Sequence, residues 1–235
     1  HEGTIPSDRL IHMLNVQNDS LVIEEKGIYS VEKFLISRRL MYWQVYLHKA
    51  VLCAEYMLIH ILQRAKELSN KGIKMPATDA LQYFIQNSLS ENDFLKSSVP
   101  IKHFAQLDDF DIFSAVKMWA HHNDFVLSQL CTHLINRKLF KIEISKKPFE
   151  EDKIKSLLNK MSLKHSISLN EAAYFVFTDE ARNRAYNADD NHINIIFNDG
   201  KIQDIAVASD QMNINMLSKP VVKYFLCYPK DIDLK

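Results

Sequence analysis

Residues 30–68 read SVEKFLISRRLMYWQVYLHKAVLCAEYMLIHILQRAKEL. Leu40, Leu47, Ala54 and Ile61 recur every seven residues, and Trp43, Val51, Leu58 and Ala65 fill the same side. That recurrence is what a helix with a buried face requires. Met41, Leu52 and Ile59 add a second apolar row, which predicts one long central helix, uninterrupted over 30–68 and covered on several sides. Ser69-Asn70-Lys71-Gly72 closes it, with Gly72 suited to the left-handed position beyond a helix.

One strip of this helix is polar. On a wheel advancing 100° per residue, Tyr42, Tyr46 and Lys49 fall within roughly 80° of Arg38. Two cations and two phenols on one face could hold a polyphosphate or nucleotide: a guanidinium offers a planar fork of donors, an ammonium a point charge, and a phenol a ring and a hydroxyl. The same side chains would equally serve as ion-pair partners and half-buried core. Spacing leaves both open.

Working outward, a short helix at 7–14 and a small strand at 21–24 precede the long helix. Pro76 suits a first helical turn, and Ser90 through Asp93 spells a capping box. Asp108 or Asp109 can cap a helix at 112–120, and Asp124 one at 125–136. Lys146-Lys147-Pro148 breaks the pattern before a charged helix at 150–163. Strands follow at 173–177, 193–197, 202–207 and 221–227. Asn198-Asp199-Gly200 between the second and third predicts a hairpin in which both central residues take positive φ. Helices first and a small sheet last give an α+β fold: a mainly helical body, residues 1–145, then a small α+β region, 146–235, with an antiparallel sheet.

Composition narrows the function. Lys plus Arg and Asp plus Glu both number 29 in 235 residues. That balance argues against a general nucleic-acid or anionic-membrane surface. Four glycines leave no phosphate-cradling loop. Cys53, Cys131 and Cys227 form no CxxC pair, so zinc knuckles and disulfide frameworks are not expected and a cytoplasmic location is. No apolar run approaches ~20 residues, so no membrane span is expected. The chain opens on His1, which we read as the sign of a fragment. Trp43 and Trp119 are expected as core anchors, Met212 and Met216 as packing residues, and His12, His60, His103, His133, His165 and His192 as structural.

The segment EEKGIYSVEKFLISRRLMYWQVYLHKAV, residues 24–51, resembles the stretch that follows the HD domain in HD-superfamily phosphohydrolases. It is similar to dGTP triphosphohydrolases and to the sterile-alpha-motif/HD-domain dNTPase of animals. NRKLFK at 136–141, INIIFNDGKIQDIAVASDQ and KYFLCYPK follow in the same order. The resemblance implies a metal-dependent phosphohydrolase acting on nucleoside triphosphates, a nucleotide or other phosphate ester as ligand, and a homo-oligomer. It implies a divalent metal (Mn, Mg, Fe or Zn) held by a His, a His-Asp pair and an Asp upstream of these blocks. No His-Asp dipeptide occurs here, and His121-His122-Asn123-Asp124 only imitates one. The expectation is therefore a C-terminal part without catalytic or metal residues of its own and inactive alone, with a non-enzymatic nucleotide-sensing or protein-interaction module as the alternative. Residue by residue, the resemblance aligns a substrate-phosphate arginine with Arg38 and a sugar-packing tyrosine with Tyr46. Tyr42 stands where the family has a pocket histidine. Arg9, His48, Lys49, Arg137 and Lys141 match regulatory nucleotide contacts, and a second regulatory arginine falls at Glu24, a reversal of charge. Arg137 and Lys141 also fit a plainer role, as cations closing a helix at its negative end.

Overall fold

The computed structural model describes residues 4–183, 186, 192–209 and 221–232. Met212 and Met216 lie outside them. The chain forms two compact units that are interleaved along the sequence: residues 1–48, 145–147 and 179–224 form the first, and 49–144, 148–178 and 225–235 the second. The mainly helical α+β architecture with a small antiparallel sheet from the C-terminal strands is as expected.

In the first unit, α1 (Ser7–His12) leads into a hairpin of β1 (Leu14–Gln17) and β2 (Ser20–Glu24). Asn18 and Asp19 both have positive φ, 51° and 56°, as the two-residue turn of a tight hairpin requires. A single strand was expected here; β1 was missed because all four of its residues are exposed and carry no burial alternation. A 3₁₀ turn, Glu25–Gly27, then starts α2 (Ile28–Met41). The sheet continues in the order β1–β2–β5–β6, with β5 (Asn194–Ile196) parallel to β2 and β6 (Ile202–Asp204) antiparallel to β5. Ile28, Val31 and Leu35 of α2 pack with Ile195, Ile205 and Tyr186 to form the core. The β5–β6 turn is a correction. Gly200 alone is left-handed, φ 82°, and its N–H donates to the Phe197 carbonyl, so this is a three-residue loop with glycine at the last position. The strand expected at 202–207 stops at Asp204, whose side chain accepts from the Ala206 N–H and starts α11 (Ile205–Ala208) instead.

In the second unit, α3 (Lys49–Asn70) is the long helix, burying Leu52, Cys53, Met57, Ile61, Ala65 and Leu68. The uninterrupted 30–68 helix is corrected at its middle. After α2 the chain widens into a π-helical turn, Tyr42–Tyr46, where the Leu47 N–H donates five residues back to the Tyr42 carbonyl at 2.7 Å. Leu47 then leaves helical geometry, φ −101° and ψ 20°, and α3 begins at Lys49. The apolar spacing runs through this break, so the pattern could not reveal it.

Of the helices that follow, α4 (Asp79–Gln86) and α8 (Phe125–Ile135) pack on α3, α6 (Ser98–Gln106) and α7 (Asp109–Trp119) pack on α4, and α5 (Glu91–Lys96) packs on α6. The Ser90/Asp93 capping box and the Asp108 and Asp124 caps form as the sequence predicts, and Asp108 further closes a box with Asp111. Gly72 takes φ 82° just beyond α3. Trp119 is fully buried and its indole N–H donates to the Pro76 carbonyl at 2.8 Å, which leaves Pro76 in a loop rather than in a first helical turn. Next come β3 (Lys141–Ser145), α9 (Glu151–His165), α10 (Leu169–Ala172), β4 (Phe177–Asn183) and β7 (Val221–Tyr228). The three strands form a sheet with β7 in the middle. A strand was expected at 173–177, but the chain turns through 173–176 with Phe175 and Val176 buried, and β4 starts only at Phe177. Cys53, Cys131 and Cys227 are free and buried.

Candidate functional site

The first unit carries a cleft of about 530 Å³ lined by Ile5, Phe34, Arg38, Met41, Tyr42 and Tyr46. Three of the four residues expected to share a face meet here. Arg38 sits in the last turn of α2 with its guanidinium carbon 5.5 Å from the centre of the Tyr42 ring. That ring lies 5.1 Å from Tyr46, inclined at 58°. The wide turn is what presents the tyrosines: Tyr42 opens it half-buried, and Tyr46 closes it 56% exposed. A π turn inserted in a helix re-aims side chains at a cost in packing, and such turns concentrate at functional sites. Lys49 does not line this cleft. The helix that would have carried it 20° from Arg38 ends before it, and Lys49 belongs to the second unit.

Lys49 lines a second cavity instead, about 480 Å³, with Ala50, Cys53, Arg137, Leu139, Phe140, Lys141, Ile142 and Lys230. Four cations converge on it, and no described residue lining it is a carboxylate. Three are the expected Lys49, Arg137 and Lys141. Lys230, in the YPK that follows β7, was not singled out; one more lysine in a charge-balanced chain carries no signal until the fold gathers it. Lys141 lies 5.5 Å from the Tyr228 ring, which holds its stem beside the cavity.

Arg137 is held in an unusual way. It follows α8 with φ 54°, in the left-handed region. Its N–H donates to Leu134, and the next N–H, Lys138, donates to His133 at 2.9 Å. These are the paired hydrogen bonds that close a helix around a left-handed residue, a position that normally takes glycine. A side chain there costs about 1–2 kcal/mol.

The other expected regulatory residues are in the first unit. Arg9 is exposed on α1 and donates to the Lys26 carbonyl at 3.3 Å. His48 is exposed in the break after the wide turn. Glu24 ends β2, half-buried.

The His121–Asp124 imitation of a metal motif is structural. His122 Nδ1 accepts from the Asp124 N–H at 3.0 Å, and Asp124 caps α8. Both Asp124 oxygens take hydrogen bonds from Arg64, at 3.1 and 2.7 Å; Arg64 also reaches Glu67 and Glu171. Burial pushes the Asp124 carboxyl up, but the Arg64 hydrogen bonds outweigh it and hold it below the usual range. Among the described residues no group of three His, Cys, Asp or Glu side chains could hold a metal ion, so the residues present do not supply the ligand set of the divalent metal that the resemblance implies.

The histidines otherwise behave as structural. His60 bonds to the Tyr174 carbonyl at 3.0 Å and burial pushes its pKa down. His133 bonds to Lys138 and His12 to Asp8. Trp43 departs from expectation: it is half-buried in the wide turn, with the Lys223 ammonium 4.0 Å from its ring centre. Among the described residues no single helix is long and apolar enough to cross a membrane.

Residues 5–83, which contain the first cleft and all of α3, match the family model described as an HD associated region. Over 97% of its length the chain is similar to the crystal structure of a phosphohydrolase from Bacteroides thetaiotaomicron, at 49% identity and a TM-score of 0.89, covering 57% of that chain. It is 26% identical over 98% of its length to the uncharacterized protein YwfO of Bacillus subtilis, spanning 52% of it. A hypothetical protein from Aquifex aeolicus shares the fold at 21% identity and a TM-score of 0.60, over half of that chain. The chain thus spans about half the length of each.

Proposed function

We propose that this chain is the C-terminal part of an HD-family metal-dependent phosphohydrolase acting on nucleoside triphosphates. In this reading the Arg38 cleft supplies one wall of the substrate pocket. The guanidinium takes phosphate oxygens through its fork of donors, and Tyr46 packs on the sugar. Tyr42 orients Arg38, whose guanidinium lies over its ring. The cationic cavity around Lys49, Arg137, Lys141 and Lys230 takes the phosphates of a regulatory nucleotide, and Arg9 and His48, on the first unit, are separately assigned as regulatory nucleotide contacts. The divalent metal and its ligands belong to the remainder of a longer, cytoplasmic, homo-oligomeric protein.

The observation that carries the reading is the second cavity. Four cations line one cavity whose described lining includes no carboxylate, though Lys141 also has Glu143 nearby, and such a gathering of positive charge favours an anion. The similarity to a phosphohydrolase over nearly the whole chain supports the same conclusion.

Calorimetric titration of the chain with a nucleoside triphosphate, at two salt concentrations, tests it. Binding that weakens with salt and is lost in Lys141→Ala and Lys230→Ala is the expected result; no binding in the native chain would refute it. The second reading, a nucleotide-sensing module without enzymatic activity, rests on the same cavity. The sequence of the longer protein separates the two, because only the first requires an H…HD…D ligand set.

A further inference from the structure

Cys53, Cys131 and Cys227 are all free and buried, but two of them are neighbours. Cys53 stands in the second turn of α3 and Cys227 near the end of β7. Their thiols are hydrogen-bonded to each other although they lie far apart in the sequence. Cys53 also reaches the Phe140 carbonyl at 3.7 Å and the Met57 sulfur at 3.9 Å. Cys131, on α8, has no such company: burial alone acts on its thiol and pushes it up to about 12.

Free cysteines are ordinary core residues, so burial by itself carries no meaning. The surroundings set this pair apart. Cys53 lines the cavity on which Lys49, Arg137, Lys141 and Lys230 converge. Lys49 precedes Cys53 by one helical turn, and Lys230 follows Cys227 by three residues. The thiolate is the form that attacks, and nearby positive charge favours it. The hydrogen bond with Cys227, helped by the Phe140 backbone and the Lys230 charge, outweighs burial and holds the Cys53 thiol below its ordinary value. The same hydrogen bond, together with burial, pushes Cys227 up, so Cys227 keeps its proton. One thiol is thus prepared to attack and the other to follow. Both are closed to bulk solvent, which favours a small oxidant arriving from the cavity side over a bulky one.

We propose that Cys53 and Cys227 form a peroxide-reactive dithiol, in which Cys53 is oxidised first and Cys227 closes the disulfide. The Cys53 thiolate attacks one oxygen of hydrogen peroxide. The O–O bond breaks, and the leaving oxygen takes up the proton that Cys53 released, giving water and a sulfenic acid on Cys53. The Cys227 sulfur then attacks the Cys53 sulfur, the S–O bond breaks, and hydroxide leaves with the Cys227 proton as a second water. The two thiols together lose two electrons, and one peroxide is reduced to two waters. The new bond joins the segments that carry Lys49 and Lys230, two of the four cations. It needs no bound nucleotide, so its formation and the functional reading above stand or fall separately.

The test is treatment of the full chain with hydrogen peroxide, followed by denaturation, alkylation with iodoacetamide and peptide mass mapping. The untreated chain should take up three alkyl groups and the oxidised chain one, on Cys131. The peptides containing Cys53 and Cys227 should be found joined, and dithiothreitol should release them. The joined pair should form at least about 10-fold faster than Cys131 is oxidised, because Cys131 lacks a thiolate-stabilising partner. Cys227→Ser should stop at a sulfenic acid on Cys53, trapped as a dimedone adduct, whereas Cys53→Ser should give no adduct on Cys227. Mapping of the native chain decides the matter where a substituted core fails to fold. Three alkylated thiols after treatment, a disulfide that involves Cys131 or a second chain, or oxidation of Cys53 that never closes onto Cys227 overturns the proposal.

Discussion

Replacing Arg137 with glycine should make the protein more stable and its cationic cavity less able to bind anions. Arg137 occupies the left-handed position that closes α8, φ 54°, where a side chain costs about 1–2 kcal/mol relative to glycine. Glycine returns about 0.4–1 kcal/mol of that through the larger entropy of the unfolded chain, which leaves a net gain of about 0.5–1 kcal/mol. Removing one of four like charges around the cavity adds to the gain. For a chain of this size the melting temperature should rise by about 1–4 °C. Anion binding should move the other way: a charge-assisted contact of about 1.5–3 kcal/mol corresponds to roughly 10- to 150-fold weaker binding of a triphosphate. Ser166 is the control, because it ends α9 in the same conformation, φ 53°, and does not line the cavity. Ser166→Gly should gain similar stability and leave binding unchanged. The assays are thermal denaturation and calorimetric titration on the same preparations. If Arg137→Gly destabilises the fold, the strain argument is wrong; if it stabilises but binds as before, the cavity is not an anion site.

Other outcomes follow from the same geometry. In the intact longer protein, Arg38→Ala should weaken triphosphate binding by at least about 10-fold and Arg39→Ala much less, with Lys at 38 a partial rescue; equal losses in a binding assay would end the substrate-wall reading. The chain alone, incubated with Mn²⁺ and each dNTP, should release no triphosphate above a buffer blank, and turnover would overturn the expectation that it is inactive by itself. Arg64→Ala should cost about 3 kcal/mol in urea unfolding, because it strands the partly buried Asp124 carboxylate. The Asp124 carboxyl is lowered in the native state, so its contribution is full above about pH 4 and is lost as pH falls through the native value. Asp124→Asn should therefore flatten the acid side of the stability profile, and an unchanged profile would show that the Arg64 pair does not govern it.

Much of the local structure was legible because its causes are local. Ser90 and Asp93 stand three apart whatever else the chain does, and their reciprocal hydrogen bonds close within one turn. Gly72 and Gly200 marked left-handed positions for the same reason. The errors fell where two periods overlap. Apolar spacing along 30–68 continues across Leu47 and His48, and a π turn changes the count of residues per turn without changing their types. Residues 173–176 have the composition of a strand but form a turn that buries only Phe175 and Val176, because tertiary packing and not propensity decides the state of so short an apolar run.

The candidate sites divide along the same line. The sequence alone placed Arg38, Tyr42 and Tyr46 within reach of one another, since residues four apart share a helix face and a single wide turn does not undo that. It could not detach Lys49 from that strip, because the break that moves it lies in backbone geometry. Nor could it bring Lys49 to Arg137, Lys141 and Lys230, which are separated by as much as 181 residues of chain. Like charges gather around a cavity only when packing elsewhere outweighs their repulsion, and that balance is struck by the burial of α3, α8 and the central strand together. The strain at Arg137 belongs to the same level: the residue name gives no hint of it, and only the way α8 must end against its neighbours puts an arginine where a glycine would rest.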